Sequence, residues 1–168
     1  MDNANENISE LKIKRVFNVP REQVWKSWTV PELFMKWWGP NDFTCPFCKI
    51  DLKVGGKYLT CMHWDQKNQD FWSTGVYKEI IEPRRLVYSD CFADKEGTVV
   101  PATYYGMSPD FPLEMEVTIT LDELTGGKTN FTLIHRGIPA GKDLEDCKVG
   151  WDQTIDKLAD FLNTTHFE

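Results

Sequence analysis

Two histidines, His63 and His135, are the side chains best suited to acid–base chemistry in the body of the chain. Both lie in segments that alternate like strands, and a histidine beside a carboxylate can move a proton near neutral pH. Each could equally be a hydrogen-bonded wall residue. No Ser-His-Asp order, paired-carboxylate spacing or phosphate-binding glycine loop accompanies them. The two histidines are therefore weak candidates for catalysis, and no catalytic residue is assigned.

Cys45-Pro46-Phe47-Cys48 has the CxxC spacing of redox and zinc sites. In redox proteins the motif begins a helix, whose dipole lowers the thiol pKa, whereas here it begins a predicted strand. Residues three apart in a strand point to opposite faces, so the two sulfur atoms are expected to diverge unless a bulge intervenes. No second CxxC and no HxxxH follows. The motif therefore predicts packing, with no metal and no cofactor.

The aromatic content is the stronger signal: seven Trp, five Tyr and ten Phe among 168 residues exceed what a minimal core requires. Buried Tyr and Trp need a partner for their O–H or N–H groups, and a ligand pocket can supply one. The alternative is that most of them are plain core. The predicted pocket residues are Trp37, Tyr58, His63, Trp72, Tyr88, Tyr104, Tyr105, Met107, Met115, Val117, His135, Trp151 and Ile155.

The first elements that must position these side chains are one strand and two short helices. Period-two alternation predicts a strand over Ser9–Val19, which Pro20 ends. Helical spacing then predicts a helix over residues 20–28, and Pro31 opens a second short helix that ends at Gly39-Pro40.

Strands dominate the middle of the chain. Short polar or glycine-containing turns separate them, which predicts antiparallel hairpins. Glu114 and Glu116 should face solvent, and Asp90 beside Tyr88 could point inward, although its phase is not fixed. The predicted strands are Phe43–Val54, Gly56–Asp65, Phe71–Ile81, Arg85–Phe92, Leu113–Leu121, whose buried face includes Leu113, and Thr129–Arg136.

Residues 93–112 contain several glycines and prolines and interrupt the pattern. A loop of this length is either a lid or a hairpin extension packed on the sheet, and the sequence leaves both readings open. The last element is a long amphipathic helix, about Asp143 to Asn163, with an apolar stripe at i, i+3, i+4 and i+7. Only the concave face of the sheet is large enough to bury that stripe.

The predicted fold is therefore α+β: a curved antiparallel sheet of six to seven strands wrapped round a long C-terminal helix, with two short helices after the first strand. Residues 1–8 are expected to be a flexible leader, and residues 9–168 one domain. A sheet of this size curves more than one helix can fill, so a cavity is expected between them.

Net charge restricts the partners. A formal charge of −7 argues against nucleic acid and against anionic membranes. No apolar run approaches the roughly 20 residues of a spanning helix. Five cysteines without a recognisable signal peptide favour reduced thiols and a cytoplasmic location.

Several motifs resemble the SRPBCC (START-like, helix-grip) superfamily, and more narrowly the single-domain prokaryotic homologues of the activator of the heat-shock chaperone ATPase. The matching segments, which run through almost the whole chain, are VFNVPREQVWKSWTVPELFMKWWGP (16–40), IDLKVGGKY (50–58), GVYKEIIEPRRLVYSD (75–90), MEVTITLDELTGGKTNFTLIHRGIP (115–139) and VGWDQTIDKLADFL (149–162).

The resemblance implies a helix-grip fold, whereas relatives range from lipid carriers to cyclases and chaperone partners. We therefore expect a binding protein rather than an enzyme, with a small hydrophobic or aromatic molecule in an internal cavity. One alternative is a cyclase- or hydrolase-like enzyme with His63 or His135 as the acid/base. Another is a chaperone-linked interaction module, although the chain has no room for a chaperone-docking domain. A homodimer is left open.

Overall fold

Residues 8–167 are described by the structure, a computed structural model. Seven antiparallel strands form one sheet in the order β1-β7-β6-β5-β4-β3-β2, so the first two strands in sequence lie at opposite edges. The sheet therefore needs a connection between its edges, which the short helices provide. The strands are β1 Ile8–Phe17, β2 Phe43–Ile50, β3 Lys57–Trp64, β4 Gln69–Ile81, β5 Arg85–Ala93, β6 Met115–Leu124 and β7 Lys128–Pro139.

Two short helices, α1 (Arg21–Thr29) and α2 (Pro31–Phe34), carry the chain from β1 towards β2. Pro20 precedes α1 in an extended conformation, and Pro31 begins α2, where its missing N–H costs nothing. The apolar residues of both helices face inward: Val24, Trp25, Trp28 and Phe34 are buried. Together α1 and α2 close one side of the sheet's concave face.

The long helix α3 (Lys142–Thr164) packs across that concave face. Its 23 residues correspond to about 34 Å. Its buried residues, Thr154, Ile155, Leu158 and Leu162, recur at helical spacing as the stripe predicted. At the β1 edge, Arg15 Nη1 lies 2.6 Å from Asp156 Oδ1, so an ion pair joins helix and sheet.

Lys157 fastens the loop after α2 to the middle of α3. Its Nζ donates hydrogen bonds to the carbonyl oxygens of Gly39 and Phe43 at 2.9 and 3.1 Å. Burial lowers the pKa of this lysine from its ordinary value. The loop is thereby held where Pro40 and Phe43 face the interior.

The segment between β5 and β6 has features of both structures considered for residues 93–112, a lid and a hairpin extension packed on the sheet. It begins with a tight turn in which the Asp94 carboxylate accepts hydrogen bonds from the backbone N–H groups of Glu96 and Thr98. A 3₁₀ turn, Ala102–Tyr105, follows. We call residues 102–111 the flap; it packs on the sheet through Phe111, which is 8% exposed and meets Phe92 edge-on.

The helix-grip prediction is confirmed in its seven-stranded antiparallel sheet, its long C-terminal helix and its two short helices. Placing Leu113 on the buried face of a strand was wrong: β6 begins at Met115, and Leu113 is 59% exposed in the turn that follows Pro112. The expected leader, residues 1–8, falls almost wholly outside the described residues, and its last residue, Ile8, begins β1. Between residues 8 and 167, no helix is long and apolar enough to cross a membrane.

Candidate functional site

A cavity of about 660 Å³ lies between the concave face of the sheet, the short helices, the flap and the first half of α3. Alternation along each strand decides which side chains reach it. From β3 the even-numbered residues Tyr58, Thr60, Met62 and Trp64 point inward, and from β5 Leu86, Tyr88, Asp90 and Phe92 do so. Period-two geometry therefore gives the cavity its wall, and the odd-numbered residues of these two strands lie on the other face.

Aromatic rings form nearly half of this wall. Where the short helices meet α3, the ring of Trp28 stacks against Trp151 with centroids 6.3 Å apart, and Trp38 meets Trp151 edge-on at 5.4 Å. On the opposite side Tyr58, Tyr77 and Tyr88 lie within 6.1 Å of one another. Such a wall offers a large apolar surface with few fixed polar groups, as ligand sites do.

His135 and Trp151 join the sheet to α3 at the cavity wall. The indole Nε1–H of Trp151 donates a hydrogen bond to His135 Nδ1 at 3.0 Å. Because an indole nitrogen only donates, Nδ1 must carry a lone pair, and in the neutral imidazole the proton is on Nε2. The indole therefore selects the tautomer of a histidine that is only 5% exposed.

Asp90 faces His135 across this part of the wall. His135 Nε2 lies 3.2 Å from Asp90 Oδ2, which is close enough for an electrostatic contact. The buried Nε2 nevertheless forms no hydrogen bond of acceptable geometry with any described residue. The two groups thus attract each other electrostatically, but no hydrogen bond forms between them.

The phenols near Asp90 are neutral. Burial, and in second place the negative charge of Asp90, raises the pKa values of Tyr58 and Tyr88 well above the ordinary value for tyrosine. The hydroxyl of Tyr58 donates to the carbonyl oxygen of Ser89 at 2.9 Å. That hydroxyl is therefore already engaged within the sheet.

The flap closes the cavity through a hydrogen-bonded tyrosine. The hydroxyl of Tyr105 donates to the carbonyl oxygen of Ala93 and accepts from the backbone N–H of Trp72 at 3.0 Å. Its ring lies against Phe71 and Phe92. The two hydrogen bonds hold the flap against both β4 and β5.

The structure places seven of the thirteen predicted pocket residues on the cavity wall, on strands, on α3 and on the flap. They are Tyr58, Tyr88, Tyr105, Met107, Met115, His135 and Trp151.

The other six lie elsewhere. Trp37 is 1% exposed and packs behind the wall, where its Nε1 donates to the carbonyl oxygen of Ser27. Val117 and Ile155 are wholly buried in the core. His63 and Trp72 occupy strand positions that point away from the cavity, and Tyr104 is 60% exposed on the outside of the flap. Aromatic type alone could not separate core from wall.

Asp90 is one of the polar wall residues missing from the predicted set. Its neighbour Tyr88 had been placed inward, and period two carries that orientation to residue 90. That signal was present in the sequence, but burying a charged carboxylate in an apolar wall is costly, which argued against placing Asp90 there.

The prediction that the sulfurs of Cys45 and Cys48 diverge was wrong. The β2–β3 register shifts between Thr44 and Phe47, which is a β-bulge. The extra residue resets the alternation, so Cys45 is buried in the core and Cys48 packs against the same core. Burial raises the pKa of Cys45 to about 11 and that of Cys48 to about 12. Among residues 8–167, no group of three or more His, Cys, Asp or Glu side chains could hold a metal ion.

The family model described as Activator of Hsp90 ATPase homolog 1-like protein matches residues 18–163. The chain belongs to this family. The resemblance inferred from the sequence motifs is therefore confirmed, and the fold shared by the Activator of Hsp90 ATPase homolog 1-like proteins is a ligand-binding scaffold. No curated protein matches the chain.

Solved structures show the same fold over nearly the whole chain. Protein CV1439 from Chromobacterium violaceum is 28% identical, with a TM-score of 0.75 over 93% of this chain and 98% of its own. Protein NE0264 from Nitrosomonas europaea is 26% identical, with a TM-score of 0.72 over 97% of both chains. The AHSA1 protein from Silicibacter pomeroyi, at 20% identity, shares the fold with a TM-score of 0.73, over 94% of this chain and 100% of its own.

Proposed function

We propose that the protein binds a small apolar or aromatic molecule in the cavity between its sheet and α3. The observation that carries this proposal is the cavity itself, whose volume of about 660 Å³ lies within the range of roughly 300–1,000 Å³ typical of ligand sites. An evolved core of this size packs densely, so a void lined by aromatic side chains is unusual unless it serves a ligand.

The family adds support at a coarser level. A helix-grip domain is a ligand-binding scaffold, but fold does not determine which molecule is bound. The chemistry of the wall must therefore indicate the ligand. Here the wall is mainly aromatic and aliphatic, and Asp90 and His135 form a polar pair within it.

Acid–base catalysis has one observation in its favour, because His135 faces the cavity. His63 does not: its strand position turns it outward. The only lone pair on the His135 ring accepts the Trp151 indole N–H, so His135 can act as a base only if that hydrogen bond breaks. The arrangement favours binding, with His135 as a positioning residue.

The chaperone-linked alternative has less support. Exposed apolar side chains such as Val16, Val54 and Val149 are dispersed over β1, a loop and α3. Isolated exposed residues of this kind are ordinary on monomers. All five cysteines are free thiols, which suits the reducing cytoplasm that we propose as the compartment.

Blocking the cavity tests the proposal. Ser73 lines the cavity from β4, whereas Thr132 lies on the outer face of β7, where it alternates with buried Phe131 and Leu133. The neutral fluorescent probe N-phenyl-1-naphthylamine is expected to bind the native protein and Thr132→Phe alike. Ser73→Phe, which fills part of the cavity, should weaken binding about tenfold or more.

Native mass spectrometry of protein purified from its own host is the second measurement. A co-purified small molecule that Ser73→Phe fails to retain is the expected result. If the native protein takes up no probe and carries no added mass, or if Ser73→Phe binds as tightly as Thr132→Phe, the proposal is wrong.

A further inference from the structure

The charged groups of the cavity wall have one sign. Its carboxylates are Asp90, deep among the rings, and Asp143 and Asp146 on the first turns of α3. Among the described residues that line it, none is a lysine or an arginine. Asp146 lies 3.5 Å from Lys142 Nζ, but that lysine is 85% exposed and lies outside the wall. The formal charges of the side chains that line the cavity are therefore all negative.

His135 does not neutralise Asp90. With its Nδ1 lone pair engaged by Trp151, the ring is neutral and offers only its Nε2–H. That N–H belongs to a residue more than nine-tenths buried. Its nitrogen lies 3.2 Å from Asp90 Oδ2, but the N–H is aligned with neither this oxygen nor another acceptor among the described residues. The fold thus positions the carboxylate without cancelling its charge, which is costly among apolar groups.

A glycine of β4 lies across from Asp90 in the sheet. Ser73 and Tyr77 line the cavity from β4, and the residue between them in the inward series is Gly75, which has no side chain. A Cβ at Gly75 would lie 1.8 Å from the carbonyl oxygen of Ser89, so only glycine fits this approach of β4 to β5. Asp90 itself lines the cavity, and its side chain is 23% exposed.

The aromatic rings of the wall also favour a positively charged ligand. Thirteen of the lining residues are Phe, Tyr or Trp, and their faces attract cations. Trp28 and Trp151 present stacked rings near His135, and Tyr58 and Tyr88 remain neutral phenols near Asp90. A neutral molecule would use the apolar area of these rings but neither their quadrupoles nor the carboxylate.

From this combination we infer that the cavity selects an apolar amine in its cationic form, whose ammonium group pairs with Asp90 while its hydrocarbon body fills the aromatic space. The inference rests on the proposed ligand-binding function and gives its substrate class. His135 and Trp151 are positioning residues for the carboxylate, and Asp143 and Asp146 add two further negative charges to the wall.

A matched series of ligands isolates the charge. 1-Naphthylmethylamine, 1-naphthalenemethanol and 1-naphthoate share one ring system and differ in a cationic, a neutral and an anionic group. Isothermal titration calorimetry at pH 7 should show the amine binding about tenfold tighter than the alcohol, and the carboxylate binding weakest of the three.

Two aspartate variants locate the effect. Asp90→Asn keeps the size of the side chain and removes its charge, and the preference for amine over alcohol should disappear. Asp70→Asn is the matched control, because it removes one negative charge from the outer face of β4, where Asp70 pairs with His63. This control should keep the preference.

The outcomes separate this inference from the proposed function. If the alcohol binds the native protein as tightly as the amine, the ligand site stands and its selectivity for cations is wrong. If Asp90→Asn keeps the preference, the role of Asp90 is wrong. Absence of binding by all three compounds would overturn the proposed function and this inference together. The ratio measured on the native protein needs no variant, so misfolding of Asp90→Asn cannot conceal the result.

Discussion

Two histidine–aspartate pairs among the described residues lie on opposite faces of the sheet. On the outer face, His63 of β3 and Asp70 of β4 are cross-strand partners, and His63 Nδ1 lies 2.7 Å from Asp70 Oδ1. On the inner face, His135 Nε2 lies 3.2 Å from Asp90 Oδ2 without hydrogen-bond alignment. The side chains are 28% and 51% exposed in the outer pair, and 6% and 23% in the inner pair.

The difference shows that residue type does not determine what such a pair can do. Outside, solvent screens the aspartate, and the pair contributes little beyond a surface contact. Inside, a third residue, Trp151, sets the histidine tautomer, and the aspartate lies in a mainly apolar wall. Only the inner pair therefore stands to be stabilised by a ligand that binds in the cavity.

Truncating the two histidines should give the largest contrast. His135→Ala removes a buried ring and leaves the Trp151 N–H without its acceptor, so the free energy of unfolding should fall by about 2 kcal/mol or more. His63→Ala should cost less than about 1 kcal/mol, because the outer pair is exposed. Urea unfolding of both variants followed by circular dichroism measures the difference. Equal losses would contradict the distinction between the faces.

Trp151→Phe should release the tautomer at a moderate cost. The ring volume is largely kept while the N–H is lost, so stability should fall by about 1 kcal/mol. Nitrogen NMR of the imidazole groups should show His135 protonated at Nε2 in the native protein and a mixture of tautomers in the variant. His63 should give the same spectrum in both. A His135 spectrum unchanged by the substitution would refute the role assigned to the indole.

Neutralising the aspartates should give the smallest effects, and of opposite sign. Asp90→Asn removes a charge from an apolar wall, so the protein without added ligand should become more stable, by up to about 1 kcal/mol. Asp70→Asn should lower stability by a few tenths of a kcal/mol. Thermal unfolding of the two variants beside the native protein is the measurement, and a clear loss of stability in Asp90→Asn would show that its charge is already compensated.

Most of the fold was predictable because its signals are local. The alternation of Val117, Ile119 and Leu121 determines the inner face of β6, and the stripe through Ile155 and Leu158 determines that of α3. The predicted start of the strand at Leu113 was wrong, because the alternation of apolar and polar residues in the sequence extends beyond the point where the backbone leaves the sheet.

The site was less predictable because it depends on how deeply each side chain is buried and on which face of its strand it lies. Trp37 and Trp38 are neighbours in sequence and both pack on Trp28, yet Trp37 is core and Trp38 is wall. Trp72 and His63 are each adjacent in sequence to a wall residue, so their side chains point to the opposite face of the sheet. The bulge in β2 could be raised only as an alternative, since Pro46 is compatible with a regular edge strand as well as with a bulge.

That bulge makes two thiols into reporters of local unfolding. Only a thiolate reacts with alkylating reagents, and with a pKa of about 11 for Cys45 about one thiol in ten thousand is ionised at pH 7. Cys45 and Cys48 lie on β2, which is an edge strand and so can detach without disrupting the other six. Their alkylation rate under native conditions should therefore follow the opening of this edge. A molecule that bridges the cavity, whose wall includes Phe43 and Ile50 of the same strand, would slow that rate as it binds.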